Sequence, residues 1–209
     1  MPQPPILKIA EFFASVQGEG LRQGEPTLFV RFTGCNLRCA FCDTRYAWEG
    51  GTAMTASRVL EKIHEMRKVF PADWVCLTGG EPLLQDLSAL IRMLKKERLC
   101  VQVETNGTVR RDWPVDWWTV SPKPSAWECA ATFRKRAREV KLVVTRELSL
   151  DAIVRLRSEF PLKTPVILQP QSDKDWSRKR ALLLLRQAAK TGLRNIRLSV
   201  QLHKVYGLK

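Results

Sequence analysis

Residues 34–44 have the sequence Gly-Cys-Asn-Leu-Arg-Cys-Ala-Phe-Cys-Asp-Thr, which places Cys35, Cys39 and Cys42 at the spacing Cys-x3-Cys-x2-Cys. This spacing offers three thiolates to one cuboidal four-iron four-sulfur cluster and leaves the fourth iron without a protein ligand. Because a cluster that only transfers electrons normally takes four cysteines, the open iron indicates that a small molecule binds there. The alternative is a zinc site completed by His64, His203 or another cysteine, although closed zinc sites usually pair two short Cys-x2-4-Cys clips.

The spacing is also similar to that of radical S-adenosylmethionine enzymes, in which the open iron binds the amino and carboxylate groups of the methionine moiety of the cofactor. The other cysteines, Cys76, Cys100 and Cys129, stand alone in the sequence. Apolar surroundings indicate that Cys76 and Cys100 are buried structural thiols. In a reducing compartment, six cysteines favour metal or redox chemistry over a disulfide framework.

The length of 209 residues predicts one well-packed domain that spans residues 1–209. The hydrophobic content of 44% and the charged content of 27% are ordinary for a globular protein, and no linker or repeat divides the chain. The start, Met-Pro-Gln-Pro-Pro, lacks the basic and apolar regions of a signal peptide, and the longest aliphatic run covers only residues 181–185. We therefore expect a cytoplasmic protein with no membrane partner.

The net charge of +14, from 35 Lys plus Arg against 21 Asp plus Glu, requires an explanation. Nucleic acid, an acidic electron-donor protein and simple solubility are the three candidates. The densest basic run, Arg-Lys-Arg-Ala-Arg at 134–138, lies near Trp127 and Phe133 but matches no nucleic-acid-binding motif. We expect no direct contact with nucleic acid, and we predict that this run helps to dock a small acidic electron donor.

Short apolar or alternating runs predict seven strands, at residues 28–32, 74–77, 99–103, 117–120, 140–144, 166–168 and 195–200. Apolar spacings of three and four predict helices near residues 59–70, 87–94, 150–160 and 182–192. Strands that alternate with helices imply parallel pairing with right-handed crossovers. The chain is shorter than a full eight-unit barrel and lacks a clear long helix between residues 103 and 140. The predicted fold is α/β, an open partial (β/α) barrel of the radical S-adenosylmethionine type with shortened or missing helices.

Polar signatures follow four of the predicted strands. They are Thr-Gly-Gly-Glu-Pro at 78–82, Glu-Thr-Asn-Gly-Thr at 104–108, Ser-Pro-Lys at 121–123 and Gln-Pro at 169–170. The carboxyl ends of parallel strands meet at one edge of a sheet, where α/β proteins place their sites. We therefore expect these four segments to belong to one site.

Together with further segments, these motifs resemble those of the 7-carboxy-7-deazaguanine synthase family, in the same order and over nearly the whole chain. The further segments are Ser-Val-Gln-Gly-Glu-Gly at 15–20, Phe-Val-Arg at 29–31, residues 34–44, and Arg-Leu-Ser-Val-Gln at 197–201 followed by His203 and Lys204. Leu202 departs from the family pattern, which more often has Thr at that position. The long insertion that some members carry between the first two cluster cysteines does not occur in this sequence.

The resemblance implies conversion of 6-carboxy-5,6,7,8-tetrahydropterin to 7-carboxy-7-deazaguanine with loss of ammonia, a radical ring contraction in queuosine and 7-deazapurine biosynthesis. The implied cofactors are a 4Fe-4S cluster, S-adenosyl-L-methionine and Mg2+, which carry the chemistry while the protein binds, orients and excludes side reactions. The implied partners are the pterin substrate, a flavodoxin or ferredoxin electron donor, and a second copy of the chain in a homodimer.

The resemblance also assigns the site residues. The cluster ligands are Cys35, Cys39 and Cys42, and the magnesium ligand is Thr44. The cofactor-binding residues are Phe41, Cys42, Asp43, Gly79, Gly80, Glu81, Ser121, Pro122, Lys123, Gln169, Pro170, Gln171 and Ser172. The substrate-binding residues are Val16, Gln17, Gly18, Glu19, Arg31 and Thr78.

For the charged and polar substrate-side residues, a physical argument stands beside each assignment. An inward-pointing Arg31 suits the substrate carboxylate, but an internal acid such as Glu104 is the alternative partner. The Glu19 carboxylate matches the two parallel N–H donors of a 2-amino-pyrimidinone edge, or belongs to a solvated loop. The Thr44 hydroxyl suits an ion that takes few protein ligands, or caps a turn.

The Gly-Gly-Glu segment has two interpretations. Gly79 and Gly80 permit close approach of the cofactor to the backbone, and Glu81 can accept a hydrogen bond from the ammonium of the methionine moiety. The alternative is an ordinary strand-to-helix turn.

Two rival functions remain open. An activase that installs a glycyl radical on a partner protein shares the cysteine spacing and the Gly-Gly-Glu segment. In a zinc-stabilised nucleic-acid-binding module, the cysteines would bind zinc and the basic charge would bind nucleic acid. Anaerobic reconstitution distinguishes the zinc module from an iron–sulfur enzyme, because an iron–sulfur protein is brown and a zinc protein is colourless.

Overall fold

The computed structural model describes residues 5–124 and 126–208, and its centre is one sheet in which nine strands are described. In chain order the strands are β1 (Ile6–Val16), β2 (Pro26–Phe32), β3 (Thr52–Thr55), β4 (Trp74–Gly79), β5 (Cys100–Thr105), β6 (Trp117–Val120), β7 (Glu139–Val144), β8 (Val166–Pro170) and β9 (Ile196–Leu198). The run Met1–Pro4, used above for the signal-peptide argument, lies outside the described residues.

The strand order is β3-β1-β2-β4-β5-β6-β7-β8-β9. From β2 through β9 every neighbouring pair is parallel, whereas β1 pairs antiparallel with both β2 and β3. The first and last strands do not pair, so the sheet stays open. This confirms the predicted open partial barrel.

Helices connect several of the parallel strands, as the apolar spacings predict. They are α1 (Ala56–Val69), α2 (Ser88–Lys96), α3 (Phe133–Arg136), α4 (Leu150–Glu159), α5 (Asp175–Lys190) and α6 (Leu202–Val205). Side chains cap two of the longer helices: Thr55 Oγ1 accepts from the Arg58 amide at 3.2 Å, and Ser149 Oγ accepts from the Ala152 amide at 3.2 Å. Between β6 and β7 the crossover shrinks to the one-turn helix α3, which explains the missing helical signal there.

The two faces of the parallel strands have different compositions. Alternate residues of β2 and of β4 to β8 join one apolar core, where they pack with the buried positions of the helices. The intervening residues face the inside of the partial barrel, and many of them are polar. They include Arg31, Thr78, Gln102, Glu104, Thr119, Glu139, Lys141 and Gln169. The period of two residues in a strand therefore separates the core from the site.

Two strands escape prediction from the sequence. In β1 the pairing register with β2 shifts between Ile9 and Glu11, and this bulge breaks the alternation that would have identified an 11-residue strand. In β3, two of four residues are exposed at the sheet edge, so burial leaves no apolar pattern. No helix in the described part of the chain is long and apolar enough to span a membrane.

Candidate active site

A cavity of about 280 Å³ opens at the carboxyl ends of the parallel strands. It is lined by all the site residues predicted above except Glu81 and Pro122. Strand ends, the segment 16–19 after β1, the cysteine loop (residues 34–44) and the segment 201–203 meet there because the parallel strands all end at the same edge. The structure therefore brings the separate sequence motifs together in one place.

The cysteine loop follows β2 and forms one wall of this cavity. Cys35, Cys39 and Cys42 are unpaired and half-buried, and the Cys42 amide donates to the Cys39 carbonyl at 3.0 Å. Burial raises the pKa of the Cys39 thiol, and the charge of Lys123 opposes this effect. In the described residues no three His, Cys, Asp or Glu side chains approach closely enough to hold a single metal ion. A cuboidal cluster asks for a different arrangement, since each thiolate binds a different iron, and the three cysteines on one cavity wall fit that requirement.

The Gly-Gly-Glu turn packs against the start of the cysteine loop. A Cβ atom at Gly80 would overlap the carbonyl oxygen of Gly34, and a Cβ atom at Gly79, which has a φ of +137°, would overlap the backbone of Phe32. The Gly80 amide donates to the Phe32 carbonyl at 3.0 Å, and the Glu81 amide donates to the Gly34 carbonyl at 2.7 Å. The glycines therefore serve close contact between two segments of the chain, in addition to lining the cavity.

Glu81 differs from the sequence expectation because its carboxylate points away from the cavity. It is fully buried and accepts hydrogen bonds from Thr105 Oγ1 at 2.8 Å and from the amides of Leu83 and Asn106 at 3.0 and 2.7 Å. Burial raises the pKa of Glu81, while these hydrogen bonds oppose the rise. Its carboxylate joins the turn after β4 to the end of β5 and does not line the cavity, so a contact between Glu81 and the cofactor stays a prediction.

The Ser-Pro-Lys segment after β6 contributes two of its three residues to the cavity. Ser121 Oγ donates to the Lys141 carbonyl at 2.7 Å, and Lys123 Nζ donates to Ser121 Oγ at 2.5 Å. Burial, together with the charge of Lys141, lowers the pKa of Lys123. Pro122 is buried and does not line the cavity, because the backbone turns its ring away between these two side chains.

Gln169, at the end of β8, is the clearest sign that a polar ligand belongs in this cavity. It is 1% exposed, and neither atom of its side-chain amide has a hydrogen-bond partner among the described residues. A buried amide without partners costs free energy unless a ligand or water satisfies it. An amide that both donates and accepts fits the polar groups of a nucleoside and amino-acid cofactor such as S-adenosylmethionine.

Arg31 points inward as predicted, but it pairs with a different acid. Its Nε donates to Glu11 Oε1 at 2.7 Å. Tyr46, which follows the cysteine loop in the chain, donates its hydroxyl to the same oxygen at 2.5 Å. Its guanidinium also lies 5.4 Å from the centroid of the Phe13 ring. Glu104, the alternative partner considered above, forms no ion pair with Arg31 in the described residues.

Glu19 is embedded rather than solvated. Its Oε2 accepts from Lys141 Nζ, and its Oε1 accepts from Gln201 Nε2 at 2.7 Å. Burial alone would raise the pKa of Glu19, but the charge and hydrogen bond of Lys141 and the hydrogen bond of Gln201 lower it to about 2. The carboxylate is therefore ionised at neutral pH.

The magnesium candidate, Thr44, lies at the rim of the cavity. Its hydroxyl donates to Asp43 Oδ1 at 3.1 Å, and its amide donates to Cys42 Sγ at 3.4 Å. Asp43 also pairs with Lys204 at 3.4 Å. A hydroxyl next to a carboxylate provides the oxygen ligands that Mg2+ prefers.

Several further cavity residues were not assigned from the sequence, among them four polar ones on which the site's electrostatics depend: Glu104, Lys141, Gln201 and His203. Of these four, Lys141 lies outside the quoted motifs. Three of them belong to motifs that the sequence analysis quoted without giving each side chain a role. Lys141 could have been found from the periodicity of its strand, because alternation in residues 140–144 places it on the same face as Glu139 and Val143.

The floor of the cavity is also polar. Arg22 is 2% exposed, donates from Nη1 to Gln102 Oε1 at 2.5 Å, and lies 3.4 Å from the centroid of the Trp74 ring. Gln17 Nε2 donates to the same oxygen of Gln102 at 3.0 Å. These contacts close the interior beneath the site.

Comparison with known proteins agrees with this architecture. Residues 29–178 match the model of the radical SAM superfamily. The 7-carboxy-7-deazaguanine synthase of Methanospirillum hungatei is 37% identical over 97% of this chain and 86% of its own length. The 7-carboxy-7-deazaguanine synthase of Escherichia coli K12 is 34% identical over 94% of this chain and 96% of its own length.

Solved structures give the same result. The crystal structure of QueE from Escherichia coli superposes with a TM-score of 0.79 at 31% identity, over 95% of each chain. Streptococcus suis SuiB bound to S-adenosylmethionine shares the fold, with a TM-score of 0.55 at 17% identity over 82% of this chain and 47% of that one. On these grounds and on the cysteine loop, the chain belongs to the radical SAM superfamily and, within it, to the 7-carboxy-7-deazaguanine synthase family.

Proposed function

We propose that this protein converts 6-carboxy-5,6,7,8-tetrahydropterin to 7-carboxy-7-deazaguanine with release of ammonia. The observation that carries the proposal is that the three cysteines, Arg31 and the Glu19 carboxylate all line one cavity. A cluster site therefore lies next to side chains suited to the two ends of a small carboxylated pterin. A glycyl-radical activase would instead need room for a protein backbone beside the cluster.

The cofactors divide between the residues of the cavity wall. Cys35, Cys39 and Cys42 would hold the cluster, while the unpartnered Gln169 and the Ser121–Lys123 segment would contact S-adenosylmethionine. When bound together, the cluster and S-adenosylmethionine supply the radical chemistry that starts the reaction. Thr44 would provide a hydroxyl for Mg2+ beside the substrate.

The protein's own contribution is to bind and orient the substrate. The Arg31 guanidinium is paired with Glu11, which also accepts the Tyr46 hydroxyl, and it provides a fixed cation for the substrate carboxylate. Glu19 would accept the two N–H groups of the 2-amino-pyrimidinone edge, because its ionised carboxylate offers two acceptors in one plane. Ammonia release, measured with reconstituted enzyme, substrate, S-adenosylmethionine and a reductant, tests this function. Substrate-dependent ammonia is the expected result, and its absence in an enzyme with full iron content would contradict the proposal.

The electron donor, by resemblance a flavodoxin or ferredoxin, requires a different docking surface from the one expected. Residues 134–138 lie at the amino ends of β6 and β7, where the Arg138 amide donates to the Trp118 carbonyl. The cysteine loop lies at the carboxyl ends, about 20 Å away along a six-residue strand. Arg134 and Arg136 pair with acids, and so does Arg38 of the cysteine loop, which contacts Glu49 at 2.5 Å. Distance from the cluster site, and not pairing, therefore separates the two surfaces. We therefore move the proposed docking surface to the exposed side of the cysteine loop, around Arg38.

Two further expectations, the homodimer and the cytoplasmic location, remain proposals. The homodimer is tested by light scattering of the reconstituted enzyme, with twice the chain mass expected and a single chain mass contradicting it. A cytoplasmic location suits the six unpaired cysteines, because a reducing compartment keeps such thiols free.

A further inference from the structure

Lys141 is a buried cation whose place in the cavity has no role in the function proposed above. Its side chain is 8% exposed and extends from β7 into the interior of the partial barrel. It contacts carboxylates from two other parts of the chain: Nζ donates to Glu19 Oε2 and lies 3.7 Å from Glu104 Oε2 on β5. A buried charge of this kind is stable only when it is paired.

The contacts of Glu19 show what this pairing does to its carboxylate. Lys141 occupies a lone pair on Oε2 and Gln201 occupies one on Oε1, so the rotamer of Glu19 is fixed from both sides. A carboxylate has about four acceptor positions, which leaves about two for a ligand in the cavity. Glu19 lines the cavity, so a ligand bound there can use these remaining positions.

Glu104 has a similar arrangement with weaker partners. Its Oε1 accepts from Gln17 Nε2 at 3.2 Å, and its Oε2 accepts from Thr78 Oγ1 at 3.4 Å. Among the ion pairs of the described residues, Lys141 is the one cation that Glu19 and Glu104 share. Without it, the two carboxylates would lose the cation that pairs with both of them.

We propose that Lys141 is a positioning residue for substrate recognition, which holds Glu19 ionised and correctly oriented for the pterin edge while it neutralises Glu104. The inference rests on the proposed function, since it assigns the work of Lys141 to the Glu19 contact with substrate. Lys141 does not itself need to touch the substrate or the reacting atoms.

The surrounding titratable groups support this role. Those that face the pair from neighbouring elements are Cys76 of β4, Glu104 of β5, Lys123 after β6, Glu139 of β7 and His203 of α6. Burial lowers the pKa of Lys123 and of His203. The pKa of Lys141 is raised, because its three acidic neighbours, Glu104, Glu19 and Glu139, outweigh the effect of burial. The acids around Lys141 therefore stabilise its charge beside Glu19.

The sign of the pH dependence follows from these directions. In the native protein the pKa of Glu19 is about 2, so Glu19 stays a carboxylate throughout the range in which the enzyme is handled. Without Lys141, only the hydrogen bond of Gln201 and the charge of His203 oppose the effect of burial, so the pKa of Glu19 rises. Substrate affinity in such a variant should then fall as the pH is lowered through that raised pKa, whereas wild-type affinity should show no such dependence on Glu19.

The test is a double-mutant cycle on the reconstituted holoenzyme. The variants are Lys141→Met, Glu19→Gln, the double variant and Lys141→Arg, and the dissociation constants of substrate and of S-adenosylmethionine are titrated for each. Lys141→Met should weaken substrate binding on the order of ten- to a hundred-fold, the range expected for loss of a charged hydrogen bond. Lys141→Arg should restore most of this affinity, and S-adenosylmethionine binding should be unchanged. The double variant should bind substrate no more weakly than Glu19→Gln alone, because Lys141 acts through Glu19.

The inference is overturned if the two losses multiply in the double variant, or if affinity for S-adenosylmethionine falls in parallel with affinity for substrate. If Lys141→Met does not assemble the cluster, Lys141→Gln, which keeps a hydrogen-bond donor without the charge, takes its place in the same cycle. The two failures are distinguishable. A wild-type enzyme that does not convert the pterin contradicts the proposed function, whereas normal conversion with a Lys141→Met variant of unchanged substrate affinity contradicts only the role of Lys141.

Discussion

At the scale of single residues, the six cysteines separate into two groups. Cys35→Ala, Cys39→Ala and Cys42→Ala should each abolish cleavage of S-adenosylmethionine, because each thiolate is proposed to hold one iron and none is spare. Cys76→Ala, Cys100→Ala and Cys129→Ala are matched controls, of which Cys76 is fully buried in β4. Iron content and 5'-deoxyadenosine formation measure both groups. Full iron in one of the first three, or lost iron in one of the controls, would refute the ligand assignment.

Arg31 tests the substrate side of the cavity at the same scale. Arg31→Ala should weaken substrate binding on the order of ten- to a hundred-fold and affect S-adenosylmethionine much less, since its guanidinium is proposed to pair with the substrate carboxylate. Titration of the reconstituted enzyme with each ligand measures the two affinities. Arg58→Ala, which removes a surface ion pair with Glu61, controls for loss of a positive charge. Equal losses for both ligands would show that Arg31 supports the fold instead.

At the scale of elements, the turn after β4 and the start of the cysteine loop form one unit. Gly80→Ala should reduce iron incorporation, because the added Cβ would overlap the Gly34 carbonyl and displace the loop that carries the cysteines. Such overpacking typically costs about 1–3 kcal/mol of unfolding free energy. Iron content and thermal unfolding measure the effect. Gly24→Ala is the control for backbone strain without a clash: its φ of +90° disfavours Ala although the space around it is open, so it should lower stability and keep full iron content. Full iron content in Gly80→Ala would contradict the coupling.

The elements also show why part of the fold could be predicted and part could not. The parallel strands are covered on their core face by helices, so their alternate residues form apolar runs that reveal β2 and β4–β9. The strand β1 gives no such signal, because its bulge reverses the alternation after Ile9. The edge strand β3 shows no apolar pattern either, because two of its four residues are exposed.

For the site, the structure brings together in one cavity the motifs that stand at strand ends, whereas the partners that are distant in sequence were not predicted. The glycines and cysteines have requirements that are visible locally. The pairing of Arg31 with Glu11, and of Lys141 with Glu19, joins residues 20 and 122 positions apart. Only the register of β1 with β2 and the curvature of the sheet bring these side chains together. Glu81 shows the opposite case. Its motif suggested a ligand contact, but in the structure its carboxylate binds Thr105 and the Asn106 amide and does not line the cavity.

At the scale of the whole molecule, the parallel sheet gives the protein two different ends. Arg38, 55% exposed and adjacent to Cys39, lies at the end with the cluster site, whereas residues 134–138 lie at the other. Arg38→Asn should lower activity with a protein electron donor and preserve activity with dithionite, because charge steers small encounter complexes of this kind. Asparagine suits the φ of +47° at this position. Neutralising the four basic residues of the distant run is the control, and a selective loss of donor-dependent activity in that control would contradict the relocated docking surface.

The most direct test of the central claim is the mass of the product that the reconstituted enzyme forms from 6-carboxy-5,6,7,8-tetrahydropterin. The claim is that one cavity holds this substrate next to the cluster and S-adenosylmethionine. The predicted product is 7-carboxy-7-deazaguanine, lighter than the substrate by one ammonia, formed by the wild type with S-adenosylmethionine and a reductant and not formed by Cys42→Ala. A wild-type enzyme that carries a full cluster and cleaves S-adenosylmethionine but returns the pterin at its original mass would contradict the account.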